Sequence, residues 1–258
     1  MSQATVPGGI AFDFTNRVAV VTGAGSGVGE GIVRGLHAGG AKVVDTDMNP
    51  AFAEGVAKDL DASGETAFAL ELDVRSKDHF LRALDQTTAR WGKVDVLVNN
   101  AGWGKRTPVD DITPEEFDDV SAVNMRSVFL ACQVFAKSMV KAGYGRIVNI
   151  TSLSGQNGGT VASAHYAASK AGAIMLTKYF ARDLAGTGVV VNGIAPGPID
   201  TAKARLTAEQ IAAVEARVPV GRFMHVEEIA SAALLLASEQ AGFCVGATLD
   251  MNGGLYLR

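Results

Sequence analysis

Tyr166 and Lys170 stand four residues apart in the run Tyr166-Ala167-Ala168-Ser169-Lys170, with Ser152 a short distance upstream. Residues at that spacing on a helix share one face, so the phenol and the ammonium are neighbours. An ammonium beside a phenol favours the phenolate and lowers a pKa that otherwise sits near ~10. Tyr166 is therefore expected to serve as a general acid/base near neutral pH. Ser152 directly follows the apolar run 147–150 and can hold, through its hydroxyl, the oxygen that Tyr166 protonates. Metal chemistry has no matching pattern, because His37, His79, His165 and His225 are dispersed without paired ligand spacing. His165 adjoins Tyr166 and reads as a helix-start residue facing solvent or a subunit contact.

A second chemical signal lies near the N-terminus, in Thr22-Gly23-Ala24-Gly25-Ser26-Gly27-Val28-Gly29. Glycines between a strand and a helix permit a tight turn and close approach of a pyrophosphate to the backbone. The helix N-terminus then offers free N–H groups and the positive end of its dipole. Apolar residues precede this turn and a helical pattern follows it, the context a dinucleotide site requires. The next strand closes on Asp45-Thr46-Asp47-Met48-Asn49. A carboxylate just past the strand end can accept hydrogen bonds from ribose hydroxyls and repels a 2′-phosphate, which selects Asp47. No Lys or Arg follows Asp47, and Ser26 stands where a basic residue could help a phosphate; both favour NAD over NADP. Asp45 is anomalous in a buried strand and is expected to end it early.

These residues need a frame. Strand patterns at 18–21, 41–44, 67–72, 94–98, 145–151, 189–194 and 247–250 alternate with helical patterns at 29–39, 51–63, 77–91, 113–142, 164–185 and 227–238. That alternation predicts an α/β fold: one doubly wound, Rossmann-like domain over 1–258, with a parallel sheet of about seven strands covered on both faces. Residues 1–14 form an N-terminal arm, and the irregular stretch 195–221 is a candidate substrate loop or lid. The chain has 258 residues, 48% apolar, and a net charge of −4 without a Lys/Arg cluster, which argues against nucleic acid as a partner. Residues 1–14 lack the basic and apolar regions of a signal peptide, and no apolar stretch is long enough to span a bilayer. Cys132 and Cys244 lack metal spacing and read as buried free thiols, which together suggest a cytoplasmic protein.

Taken in order, these motifs resemble the short-chain dehydrogenase/reductase family over nearly the whole chain. The glycine run resembles the family's cofactor turn, Leu72-Asp73-Val74 its adenine contact, and Asn99-Asn100-Ala101-Gly102 the turn after its fourth strand. Asn124 in Val123-Asn124-Met125 is similar to the family's catalytic asparagine, and Ser152, Tyr166 and Lys170 to its other catalytic residues. Asn192-Gly193-Ile194-Ala195-Pro196-Gly197 and Thr201 resemble the segment that grips the nicotinamide amide. The resemblance implies cofactor contacts at Gly23, Ser26, Gly27, Val28, Gly29, Asp47, Asp73, Val74, Asn100, Ala101, Gly102, Tyr166, Lys170, Pro196, Gly197, Ile199 and Thr201. It places Ser152, Ser154 and Tyr166 against substrate, gives Asn124 a water that relays protons from Lys170, and implies a homotetramer built on the helices at 113–142 and 164–185 and the C-terminal segment. The Ser152–Tyr166 interval is about one residue longer than is common, so Ser154 competes with Ser152 for the catalytic role. Ser152 is preferred because it directly follows the strand.

The chemistry then expected is hydride exchange between a nicotinamide and a carbinol or carbonyl carbon. A ketone oxygen gains charge as hydride arrives, and preorganised donors aimed at that charge are usually the largest catalytic term. The leading reading is an NAD-dependent oxidoreductase of a small to medium secondary alcohol and its ketone. An alternative is an NADPH-dependent 3-oxoacyl reductase, disfavoured by the lack of a basic docking patch for an acyl carrier. A non-catalytic dinucleotide-sensing protein is a third, opposed by retention of all four catalytic residue types. Trp103, Ser154, Gln156, Asn157 and residues 198–217 are candidates for the pocket wall.

Overall fold

The central apolar runs are buried along their whole length, which only a sheet covered on both faces achieves. This is what a computed structural model of the protein contains; it describes residues 12–159 and 162–258. The expected N-terminal arm falls largely outside the described residues. The strands are β1 (Val18–Thr22), β2 (Lys42–Asp47), β3 (Ala67–Glu71), β4 (Val96–Asn99), β5 (Gly145–Ile150), β6 (Val189–Pro196) and β7 (Thr248–Met251). They form one seven-stranded sheet in the order β3-β2-β1-β4-β5-β6-β7, and every neighbouring pair is parallel. The chain moves outward from β1 through β2 to β3, then crosses back to β4 on the other side of β1. That reversal opens a crevice at the carboxyl ends of β1 and β4, where such sheets bind ligands.

The helices are α1 (Gly27–Ala38), α2 (Pro50–Leu60), α3 (Lys77–Trp91), α4 (Pro114–Ser121), α5 (Ser127–Ala142), α6 (Ser154–Asn157), α7 (Ala164–Asp183), α8 (Ala208–Arg217) and α9 (Val226–Ala237). One core cluster joins α1, α2 and α9 to the sheet through Ile32, Val33, Val56 and Ala233. The other joins α3, α5 and α7 to the opposite face through Phe80, Phe135, Met139 and Ala173. Starts are chemically marked: Asn49 caps α2 with Pro50 following, Ser76 caps α3, and Thr113 caps α4 ahead of Pro114.

Four expectations need correction. β2 does not end early: it continues through Asp45, which keeps register with Val21 on one side and Ala69 on the other. The backbone ladder on both sides holds the strand, and the wholly buried carboxyl, with neither oxygen partnered, is pushed up to about 7 by burial. The single helix expected over 113–142 is interrupted by a wider π turn at Ala122–Arg126, so that α4 and α5 are separate. The stretch 195–221 is not irregular: it holds a 3₁₀ turn at Asp200–Arg205 and then α8, whose Thr207 and Gln210 form a reciprocal cap. Both cysteines are free; Cys132 is buried, but Cys244 is only partly so. No helix among the described residues is long and apolar enough to cross a membrane.

Candidate active site

The carboxyl ends of β1 and β4 are tied together by Asn100. Its amide nitrogen Nδ2 donates to the carbonyls of Thr22 and Gly23, each at 3.0 Å. The backbone N–H groups of Asn100 and Ala101 both donate to Thr22 Oγ1 at 3.0 Å. Gly29 sits beneath this knot, where a Cβ would lie 2.1 Å from the Gly23 carbonyl oxygen. Any side chain there would force α1 away from the turn. The N-cap of α1, Ser26, is extended and its side chain caps nothing, so the first amides of α1 have no capping side chain. An uncapped N-terminus behind a glycine turn fits a pyrophosphate.

The same turn runs against Asp47. A Cβ on Gly25 would lie 3.0 Å from Asp47 Oδ2 and 2.6 Å from Phe52 Cβ. Asp47 Oδ1 accepts from the Asn49 N–H at 2.9 Å, which orients the carboxylate at the strand end. This arrangement fits the ribose of a dinucleotide whose phosphates lie on α1. Asp73 is engaged by Arg75, whose guanidinium donates to both its oxygens and holds the carboxyl below its ordinary value. Val74 beside it is buried. On the far side, the Pro196 carbonyl accepts from Leu153 N–H and Gly197 N–H donates to the Met251 carbonyl. Ile199 forms a bridge with Met224, and the Thr201 methyl lies 3.5 Å from where a Cβ on Gly27 would stand. The segment after β6 thus crosses over the glycine turn.

Ser152, Tyr166 and Lys170 meet on one wall of a cavity of about 470 Å³ above this crevice. Ser152 follows β5 and accepts from the Ser154 N–H at 3.1 Å. It is Ser152, not Ser154, whose hydroxyl acts on the Tyr166 phenol, lowering its pKa against the effect of burial. Lys170 Nζ donates to the Ile150 carbonyl at 2.9 Å and lies 5.9 Å from the Tyr166 ring centroid. Asn124 lies in the π turn, a distortion frequent at functional positions. Its carboxamide clamps the Trp103 backbone, accepting from the N–H at 3.1 Å and donating to the carbonyl at 2.7 Å. A Cβ on Gly102 would lie 2.8 Å from Asn124 Oδ1 and 3.1 Å from Lys170 Nζ, so Asn124 and Lys170 converge over Gly102.

The chain is similar to known proteins over nearly its whole length. A family profile described as enoyl-(acyl carrier protein) reductase matches residues 23–256. The 3-oxoacyl-[acyl-carrier-protein] reductase of Escherichia coli strain K12 is 39% identical over 248 residues, 95% of this chain and 99% of that protein. The enzyme of the same name from Pseudomonas aeruginosa is 36% identical over 242 residues, 93% of this chain and 98% of its own. A putative gluconate dehydrogenase from Agrobacterium tumefaciens superposes with a TM-score of 0.89 at 31% identity, covering 96% of this chain and 98% of that one.

The chain belongs to the short-chain dehydrogenase/reductase family.

As a short-chain dehydrogenase/reductase it is an oxidoreductase of a family that uses nicotinamide dinucleotides. Its pKa pattern departs from the expectation for the Tyr–Lys pair. Burial pushes the Tyr166 phenol above its ordinary value, and the Ser152 hydroxyl offsets only part of that. Burial also pushes Lys170 down to about 8. The ammonium is directed to Ile150 rather than to the phenol, so desolvation dominates both groups.

The cavity wall also differs in part from the expected one. Trp103, Ser154, Asn157, Pro198, Ile199 and Arg217 line it. Gln156 does not, because its amide is drawn to Asp250. His165 faces neither solvent nor a neighbour: it is fully buried, with Nε2 at 3.1 Å from Glu116 Oε1 but without hydrogen-bond alignment. Glu116 also takes the Thr107 hydroxyl and the Lys105 ammonium, so this α4 residue anchors the loop after β4. Sequence reasoning missed Arg106, Phe223 and Leu255 as wall residues. Arg106 follows the Asn99–Gly102 turn closely enough to have been found; Leu255 and Phe223 arrive from distant segments that no spacing rule connects.

Proposed function

We propose that the protein interconverts a ketone and its secondary alcohol, with Tyr166 giving or taking the proton at the substrate oxygen and NAD as the preferred dinucleotide. The gathering of Ser152, Tyr166 and Lys170 in one cavity beside the dinucleotide crevice carries this reading. A bound nicotinamide supplies or accepts the hydride. Ser152 holds the oxygen, Tyr166 protonates it in reduction, and Lys170 stabilises the phenolate left behind. Asn124, converging with Lys170 over Gly102, suits the route by which that proton is replaced from solvent. The Asp47 carboxylate against the turn favours NAD, since a 2′-phosphate would meet its charge. Four candidate catalytic residues gathered in one place argue against a purely sensing role.

The substrate is the finer question. The relatives named 3-oxoacyl-[acyl-carrier-protein] reductase support a 3-oxoacyl thioester more strongly than they support a simple secondary alcohol. The structural neighbour named gluconate dehydrogenase, and one from Brucella melitensis named glucose/ribitol dehydrogenase, support hydroxylated substrates. A 3-oxoacyl thioester is therefore the first compound to test, with NADH and NADPH compared side by side against secondary alcohols and polyols. Absence of cofactor-linked turnover across that panel would overturn the reading. We further propose a homotetramer, since Phe129 and Val140 on α5 and Met175 and Tyr179 on α7 leave apolar surface exposed.

A further inference from the structure

Among the described residues, the charged side chains lining the cavity are all of one sign. Lys105, Arg106, Lys170 and Arg217 line it, and no Asp or Glu does. The chain as a whole carries more acids than bases, 27 against 23, so this composition runs against the average. Two of the cations are engaged: Lys170 by the Ile150 carbonyl and Lys105 by Glu116 at 3.3 Å. Arg106 and Arg217 make no ion pair or hydrogen bond with any described residue, although the lid's Lys203 is neutralised by Glu215 at 3.0 Å.

The backbone on either side of Arg106 is also held in place. Ser163 bridges its two neighbours, donating to the Lys105 carbonyl and accepting from the Thr107 N–H at 2.9 Å. The Thr107 hydroxyl is fixed on Glu116. Arg217 ends the lid helix α8 one turn after Val214, which lines the same cavity. Leu206, Val214, Val218, Phe223 and Leu255 supply an apolar wall. A guanidinium offers a planar fork of donors matched to carboxylate and phosphate oxygens.

Building on the ketoreductase reading of this cavity, we propose that the substrate is anionic: a ketone or alcohol with an apolar middle and a carboxylate or phosphate group held by Arg106 and Arg217. Arg106 comes from the anchored loop after β4 and Arg217 from the lid, so the anion would also draw the lid toward the site. Binding to unpaired guanidiniums in an acid-free cavity is electrostatically steered and weakens with salt.

The test compares kcat/KM for 4-oxopentanoate and 6-oxoheptanoate with that for their methyl esters, in the native enzyme and in Arg106→Gln and Arg217→Gln. A parallel pair, acetoacetyl-CoA and the acetoacetyl thioester of N-acetylcysteamine, separates a phosphate source from a carboxylate. The proposal expects one anionic member to exceed its neutral partner at least tenfold, the ratio to fall toward one in each variant, and the advantage to shrink between 20 and 300 mM salt, on the order of a two- to fourfold change in Debye length. Equal use of acid and ester, or a ratio untouched by both substitutions, would overturn the proposal while leaving the ketoreductase reading standing. Should no ketone be reduced, that reading fails instead. Trp103 fluorescence titrated with glutarate against dimethyl glutarate in Trp91→Phe then decides the anion claim, which requires saturation by glutarate alone and its loss in both arginine variants.

Discussion

Lys170 Nζ donates to the carbonyl of Ile150 at 2.9 Å, which anchors the ammonium to the end of β5 two residues before Ser152. The bond fixes α7 against β5, and with it the position of Tyr166 relative to Ser152. Gly155 shares in this contact, since a Cβ there would strike the Lys170 backbone at 2.6 Å.

That burial predicts a pH dependence. Lys170 is a base whose pKa is pushed down to about 8, so its charge is present below that value and lost as pH rises through it. Ketone reduction, measured as kcat/KM, should be level below pH 8 and fall above it. Alcohol oxidation should rise instead, because the elevated Tyr166 phenol must first lose its proton. Lys170→Met should lower both rates by about 10²-fold or more and abolish the break near pH 8. Reduction that climbs through pH 8 would contradict this assignment.

The proposed preference for NAD rests on Asp47. Two like charges about 4 Å apart at an effective dielectric near 20 repel by roughly 4 kcal/mol before screening, enough for a large preference for NAD. Asp47→Ser should shrink the ratio of kcat/KM for NAD over NADP by at least tenfold. Equal use of both dinucleotides by the unmodified enzyme would rule the role out.

Asp45 makes a stability prediction. Its folded pKa of about 7 lies above the ordinary carboxyl value of 3.8, so the folded state binds the extra proton between them. Stability contributed by the neutral form is complete below pH 4 and is lost as pH rises to about 7. Arg34 on α1 opposes the shift and Glu30 adds to it. Asp45→Val should be more stable than the native chain at pH 7.5, on the order of 2–4 kcal/mol, with the gap closing toward pH 4. Chemical denaturation at both pH values reads this directly; a gap that widens in acid would show that Asp45 is partnered.

The assembly claim concerns Phe129, Met175 and Tyr179 on the outer faces of α5 and α7. Light scattering at micromolar concentration should give a tetramer, and Met175→Glu with Tyr179→Glu should give smaller species. A monomeric native chain would refute it.

Much of this was legible in the residues because local rules govern it. The strand patterns, the caps at Asn49, Ser76 and Thr113, and the glycine turn each depend on neighbours in sequence. The Tyr166–Lys170 spacing gives the shared face but not the direction in which the Tyr166 pKa moves, because spacing carries no information about desolvation. The burial of His165 was equally hidden, since it depends on what a distant element lays over it. The π turn at Ala122–Arg126 carries Asn124, which clamps the Trp103 backbone, a contact between segments about twenty residues apart that helix periodicity cannot register. Arg106 and Arg217 line one cavity although they come from the loop after β4 and the end of α8, a meeting that no local spacing rule foresees.

The central claim is that Tyr166 is the acid/base of a hydride-transfer site, and Tyr166→Phe tests it most directly. The substitution keeps the ring and removes the hydroxyl. NADH binding, followed by fluorescence titration, should remain within about twofold of native while kcat for reduction falls by ~10²–10⁴-fold or more. Near-native turnover in Tyr166→Phe, with binding intact, would contradict the account.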